Sequence, residues 1–111
     1  MEAALGARAW NAAGLLGVHA AISASDALTS LKLGRHSTGQ SHEDAAVLVG
    51  ELSIEDASQK SEVLNEIIGS KHVVAYEDRQ FTEDEAATLA KQVRRFIDWV
   101  ERAMDEPRRP Q

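Results

Sequence analysis

Hydrophobic positions along this chain recur at three- and four-residue spacing, and no stretch alternates with period two for long enough to specify a strand. The longest periodic segment runs from Glu2 to Leu33. Leu5, Ala9, Ala12, Leu16, Ala20, Ala27 and Leu31 form its stripe, no proline interrupts it, and alanine is frequent throughout. One long helix is predicted there, with Gly34 placed to supply a left-handed C-cap. Gly14 and Gly17 each weaken it by about 1 kcal/mol relative to alanine, so a kink is conceivable at that point. Many small side chains on one helix let a neighbour approach closely, either within the chain or across a dimer.

Three serine or threonine residues, each followed three positions later by an acid, punctuate the rest of the chain as helix N-caps. Ser41 with Asp44 opens a short helix from His42 to about Gly50, with Ala45, Ala46, Leu48 and Val49 as its apolar side. Ser53 with Asp56 opens a third helix along Ile54, Ala57, Leu64, Ile67 or Ile68 and Ala75, with Lys71 on the same stripe. Gly69 need not end it. Thr82 with Glu85 caps a fourth helix whose apolar face is Ala86, Leu89, Ala90, Val93, Phe96, Ile97, Val100 and Met104, the cleanest amphipathic pattern in the chain. Pro107 to Gln111 cannot continue that helix and reads as a disordered tail after a single domain of residues 1–106. Short connections between such helices predict an all-α, up-and-down four-helix bundle.

Composition narrows the picture further. The chain has 111 residues, enough to form a core without metals or disulfides, and it has no cysteine. Its start carries Glu2 and Arg8 and is too polar for an export signal or a membrane span, so a cytoplasmic protein that does not enter the membrane is expected. Acidic side chains outnumber basic ones by 18 to 12, which disfavours a surface that tracks phosphates unless the charges are segregated. They are segregated. Acids crowd the stretch from Glu43 to Glu66, whereas Ala27 to Ser41 holds Lys32 and Arg35 and no acid.

Candidate chemistry concentrates in Ser70-Lys71-His72-Val73-Val74-Ala75-Tyr76-Glu77-Asp78-Arg79. Lys71 and Tyr76 lie five apart and His72 and Tyr76 four apart, and Arg79 follows, so these groups can converge on one side of a helix. Lys71 and Arg79 are then candidates to hold a phosphate or acidic group, with Tyr76 stacking or donating a hydrogen bond. The bland alternative places Tyr76 at the core rim and lets Lys71 snorkel past apolar neighbours. Arg35 and His42, with six residues between them, have the spacing of a ribonuclease pair in which the guanidinium holds the phosphate and the imidazole acts as general acid or base. His42 sits directly after the cap Ser41, where it more readily supports the turn. The stretch from Gly34 to Ser41 resembles a phosphate-binding loop with Gln40 in place of the lysine, but no strand precedes it. His19 reads as a packing or interhelical residue. The histidines show no metal-ligand spacing, and neither a metal nor a cofactor is expected.

Taken together, Val18-His19-Ala20-Ala21-Ile22, Ser25-Asp26-Ala27-Leu28, the turn from Leu33 to Glu43, and Lys71-His72-Val73-Val74-Ala75-Tyr76 ahead of a final amphipathic helix resemble bacterial members of the HEPN family. The resemblance implies a four- or five-helix bundle, a homodimer with a polar cleft between protomers, and association with RNA, a nucleotide or a nucleotidyltransferase partner in toxin-antitoxin pairs. Lys71 stands at the position of the family's catalytic arginine, His72 at its polar position and Tyr76 at its histidine. A tyrosine, with a pKa of about 10, is a poor base near neutrality, so binding is expected in preference to catalysis. A metal-independent endoribonuclease using His72 or His42 with Lys71 or Arg35 is the alternative. A third, from another class, is an adaptor that docks a partner through its alanine-rich helix.

Overall fold

The computed structural model describes residues 10–34, 43–71 and 81–105. Within them lie four helices, α1 (Trp10–Leu33), α2 (Glu43–Gly50), α3 (Ala57–Gly69) and α4 (Glu83–Asp105), and no strand. The protein is an all-α four-helix bundle. α1 packs most extensively on α4 and α2 on α3, while α3 also touches α1 and α4. One cluster of buried side chains draws on all four helices, with Phe96, Leu28, Leu64, Ile67 and Val49 fully enclosed.

α4 is amphipathic because its charges and its apolar residues fall on opposite sides. Ala86, Leu89, Ala90, Val93, Phe96 and Val100 are buried as their spacing predicts, and Trp99 and Ala103 join them. Met104, at the edge of the predicted face, is 37% exposed. The predicted cap is present in both directions: Thr82 N donates to Glu85 Oε1 at 2.9 Å, and Glu85 N donates to Thr82 Oγ1 at 3.1 Å. Three acids in the first turn suit the positive end of the helix dipole. Trp99 can sit in the core because its indole N–H is satisfied, donating to the Glu55 carbonyl at 3.2 Å while the ring lies 5.9 Å from Phe96. Further along, Gln92 Nε2 donates to Glu66 Oε2 at 3.4 Å. From Glu55, just before α3, to Glu66 within it, the partner on α4 recedes from Trp99 to Gln92, so the two helices run antiparallel.

α2 and α3 form a tight hairpin. Ser61 Oγ donates to the Ala46 carbonyl at 2.7 Å, and Gly50 leaves room for that serine. Ala45, Ala46 and Val49 are buried, as predicted, with Leu48 half-buried. The third helix, however, does not open at Ser53. Residues 53–56 form a turn, and the helix starts at Ala57 after Asp56, whose φ of 66° is left-handed and whose side chain makes no capping bond. Leu52 and Ile54 are both buried on either side of Ser53. Burying both holds this stretch out of the helix, and aspartate is one of the few side chains that tolerates the left-handed turn that follows.

α1 carries the largest correction. Its buried residues are Ala13, Gly14, Gly17, Val18, Ala21, Ile22, Ser25, Leu28 and Thr29. The described members of the predicted stripe, Ala12, Leu16, Ala20, Ala27 and Leu31, are all exposed. His19, read as a packing or interhelical hydrogen-bond residue, also lies on the exposed side. Glycine and alanine on the inner face allow α1 to approach its neighbours closely, which is why that face is chosen. The two buried hydroxyls bond back to their own helix, Ser25 Oγ to the Ile22 carbonyl at 2.8 Å and Thr29 Oγ1 to that of Asp26 at 3.4 Å. Neither glycine interrupts the helix. Gly34 ends it with φ of 72°, its N–H donating to the Ser30 carbonyl at 3.0 Å.

Candidate functional site

Of the six candidate site residues, the structure places Lys71; Arg35, His42, His72, Tyr76 and Arg79 lie outside the described residues. The same holds for the phosphate-loop-like stretch after Gly34, for the Ser41 cap and for the tail after Asp105. Lys71 is half-buried. It follows Ser70, whose φ of −60° and ψ of −24° carry the helical path past Gly69, with its N–H shared between the Glu66 and Ile67 carbonyls.

Beside that point opens a groove of about 320 Å³ between the end of α3 and the start of α4, lined by Ser70, Phe81, Asp84, Glu85, Thr88, Leu89 and Gln92. Phe81 fixes its floor. The Phe81 N–H donates to Asn11 Oδ1 at 2.7 Å, and the ring lies so close to the Gly14 backbone that a Cβ there would overlap it. The start of α4 is thereby pinned to the start of α1, and only glycine permits the contact. Phe81 and Leu89 make the base of the groove apolar, whereas Asp84 and Glu85 make its rim acidic. Such a rim attracts a cationic or hydrogen-bond-donating group and repels phosphate. Sequence reasoning missed this groove; the Thr82 cap marked its position without revealing that Phe81 would fold under it.

The second unusual surface is the outer face of α1. At about 100° per residue, Ala12, Leu16, Ala20, Ser23, Ala27, Ser30 and Leu31 fall within an arc of about 100° and all are exposed. Leu16 is 51% and Leu31 55% exposed. No acid or base lies inside this arc. His19 and the half-buried Leu15, Asp26 and Leu33 border one edge.

Among the described residues no three His, Asp or Glu side chains are grouped to hold a metal, and no helix is long and apolar enough to cross a membrane. No family model, curated protein or solved structure matches the chain, so the HEPN resemblance rests on its sequence motifs alone.

Proposed function

We propose that this chain is a helix-docking module, a bundle that works by packing the outer face of α1 against another apolar helix. The observation that carries this is the pair of half-exposed leucines, Leu16 and Leu31, on an arc without charge. A helix that is apolar on both sides belongs in an interior, and the described helices cover one side only. Ala20, Ser23 and Ala27 between the leucines keep the surface low enough for a second helix to lie along it, at the 8–10 Å typical of packed helices or closer. This develops the adaptor alternative.

Labelling tests it directly because the chain has no cysteine of its own. The exposed Ala27, changed to cysteine, reacts with a thiol reagent several-fold more slowly in cells that naturally make the protein than in dilute purified protein. Equal rates in both settings would show that nothing docks on this face.

A second reading has one observation in its favour, the half-buried Lys71 directly after the groove residue Ser70. In it, the lysine and the residues that follow capture a nucleotide, RNA or an acidic group, as the HEPN resemblance implies. The acidic rim weighs against a phosphate. Titration with ATP and a short RNA, lost in Lys71→Ala, is the result that would raise this reading above the first.

A further inference from the structure

We infer that the partner seated on α1 is α1 of a second copy, running antiparallel about a two-fold axis that passes between Ser23 and Ala24. The inference rests on the docking role proposed above and adds the identity and register of the partner.

The order of side chains along the exposed arc supplies the register. Leu16, Ala20, Ala27 and Leu31 are spaced four, seven and four residues apart, which reads the same in either direction. A two-fold interface requires that if residue i meets residue j, then j also meets i. Placing the axis between Ser23 and Ala24 sets Leu16 against the second copy's Leu31 and Ala20 against its Ala27. Leucines then meet at both ends, and small residues meet in the middle where the helices come closest.

The edge of the arc obeys the same symmetry. In an antiparallel pair related by this axis, the same edge of each helix lies beside its counterpart. That edge carries Leu15, His19, Asp26 and Leu33. In this register Leu15 comes within about one residue of level with the second copy's Leu33, and His19 within about two residues of level with Asp26, offsets of about 1.5 and 3 Å along the axis. An imidazole opposite a carboxylate at the rim matches a hydrogen-bond donor with an acceptor, and the leucine pair extends the apolar seam. A parallel two-fold pair would instead lay this edge beside the opposite edge of the second copy, so neither the Leu15 with Leu33 match nor the His19 with Asp26 match would form.

The size of the seam sets the strength. From Ala12 to Leu31 the arc is about 28 Å long and ~10 Å wide, on the order of 300 Å² of flat footprint per copy, below the roughly 800 Å² per partner of a standard specific interface. The pair therefore dissociates on dilution.

Sedimentation of the intact chain over a wide concentration range, combined with cysteine crosslinking, is the test. A monomer-dimer equilibrium is expected, and Leu16→Glu with Leu31→Glu raises its dissociation constant at least tenfold. An equimolar mixture of Leu16→Cys and Leu31→Cys chains yields the mixed disulfide at least tenfold over either self-disulfide, because two copies of position 16 sit about 22 Å apart. Ser23→Cys, next to the axis, crosslinks to itself. A monomer at every concentration, or self-disulfides of Leu16→Cys as abundant as the mixed species, overturns the inference. If Ala27→Cys is protected in cells while the purified chain stays monomeric, the docking role stands and self-pairing falls. Protection in the purified chain that does not change with concentration also defeats self-pairing, since it means that the chain covers the face itself.

Discussion

α1 and α4 are the two long helices of the bundle and pack on each other, yet they treat solvent differently. Outside its buried face α4 presents Glu83, Asp84, Lys91, Arg94, Arg95, Asp98, Glu101 and Arg102. α1 presents Ala12, Leu16, Ala20, Ala27 and Leu31 in the corresponding place. Helices exposed to water on one side normally carry charge there, because charged residues cost little in water and would be expensive to bury. α4 is complete as it stands within one chain. Among the described residues α1 has two faces fit for helix contact and only one occupied, and that difference makes α1, rather than the titratable stretch around Lys71, the part of the described structure that most calls for a partner.

The sharpest way to test this contrast is to cut each helix where it is committed. Phe96 is fully buried beneath α4, so Phe96→Ala removes packing and leaves a cavity, at a cost of about 3–5 kcal/mol. For a domain of ordinary stability this is a large share of the total, and a urea titration should show the midpoint falling steeply or the fold lost. If Leu16→Ala at low protein concentration costs as much, the outer face of α1 is already buried within one chain and the contrast disappears.

Gly14→Ala probes the join between the two helices. Alanine improves the helix by up to about 1 kcal/mol, but its Cβ overlaps the Phe81 ring, and overpacking of this kind costs about 1–3 kcal/mol. Net destabilisation is expected, together with a change in Phe81 side-chain resonances. A stabilised variant would mean that Phe81 does not rest on α1, and the groove would lose its floor. Next in size is the cap of α4: Thr82→Ala removes the acceptor for the Glu85 N–H and should lower stability by about 1 kcal/mol in the same titration.

The same contrast explains how much could be foreseen from the residues. Charges outline the outer face of α4, so its buried set was legible almost position by position, as was the Thr82 and Glu85 cap. On α1, alanine, glycine and serine lie on every side, so two opposite stripes satisfy the helical period equally well. Gly14 and Gly17 read as weak points, whereas both are buried on the inner face and Gly14 is where the Phe81 ring rests against it. The Ser53 cap failed because a Ser-x-x-Asp pattern is local, while the burial of Leu52 and Ile54 on either side of it is tertiary. For the candidate site, the sequence assembled titratable groups by spacing within one segment. The groove is made by Ser70 just after α3 together with Phe81 and residues of α4, and no spacing within one helix could have shown it.

The smallest expected effect on stability is also the most discriminating for function. Leu16→Gln and Leu31→Gln alter half-exposed side chains, and surface changes of this kind usually shift folding free energy by no more than about 0.5 kcal/mol. In dilute solution, then, the double variant should unfold at nearly the same urea concentration as the parent. At high concentration the parent should gain stability from association, because anything that binds only the folded state shifts unfolding by mass action. The variant should not. Parallel denaturation curves at two widely separated protein concentrations measure this: the parent's midpoint rises with concentration and the variant's stays fixed. Parent and variant midpoints that are both independent of concentration would leave the outer face of α1 unpaired in the purified protein and turn the search towards a different partner helix.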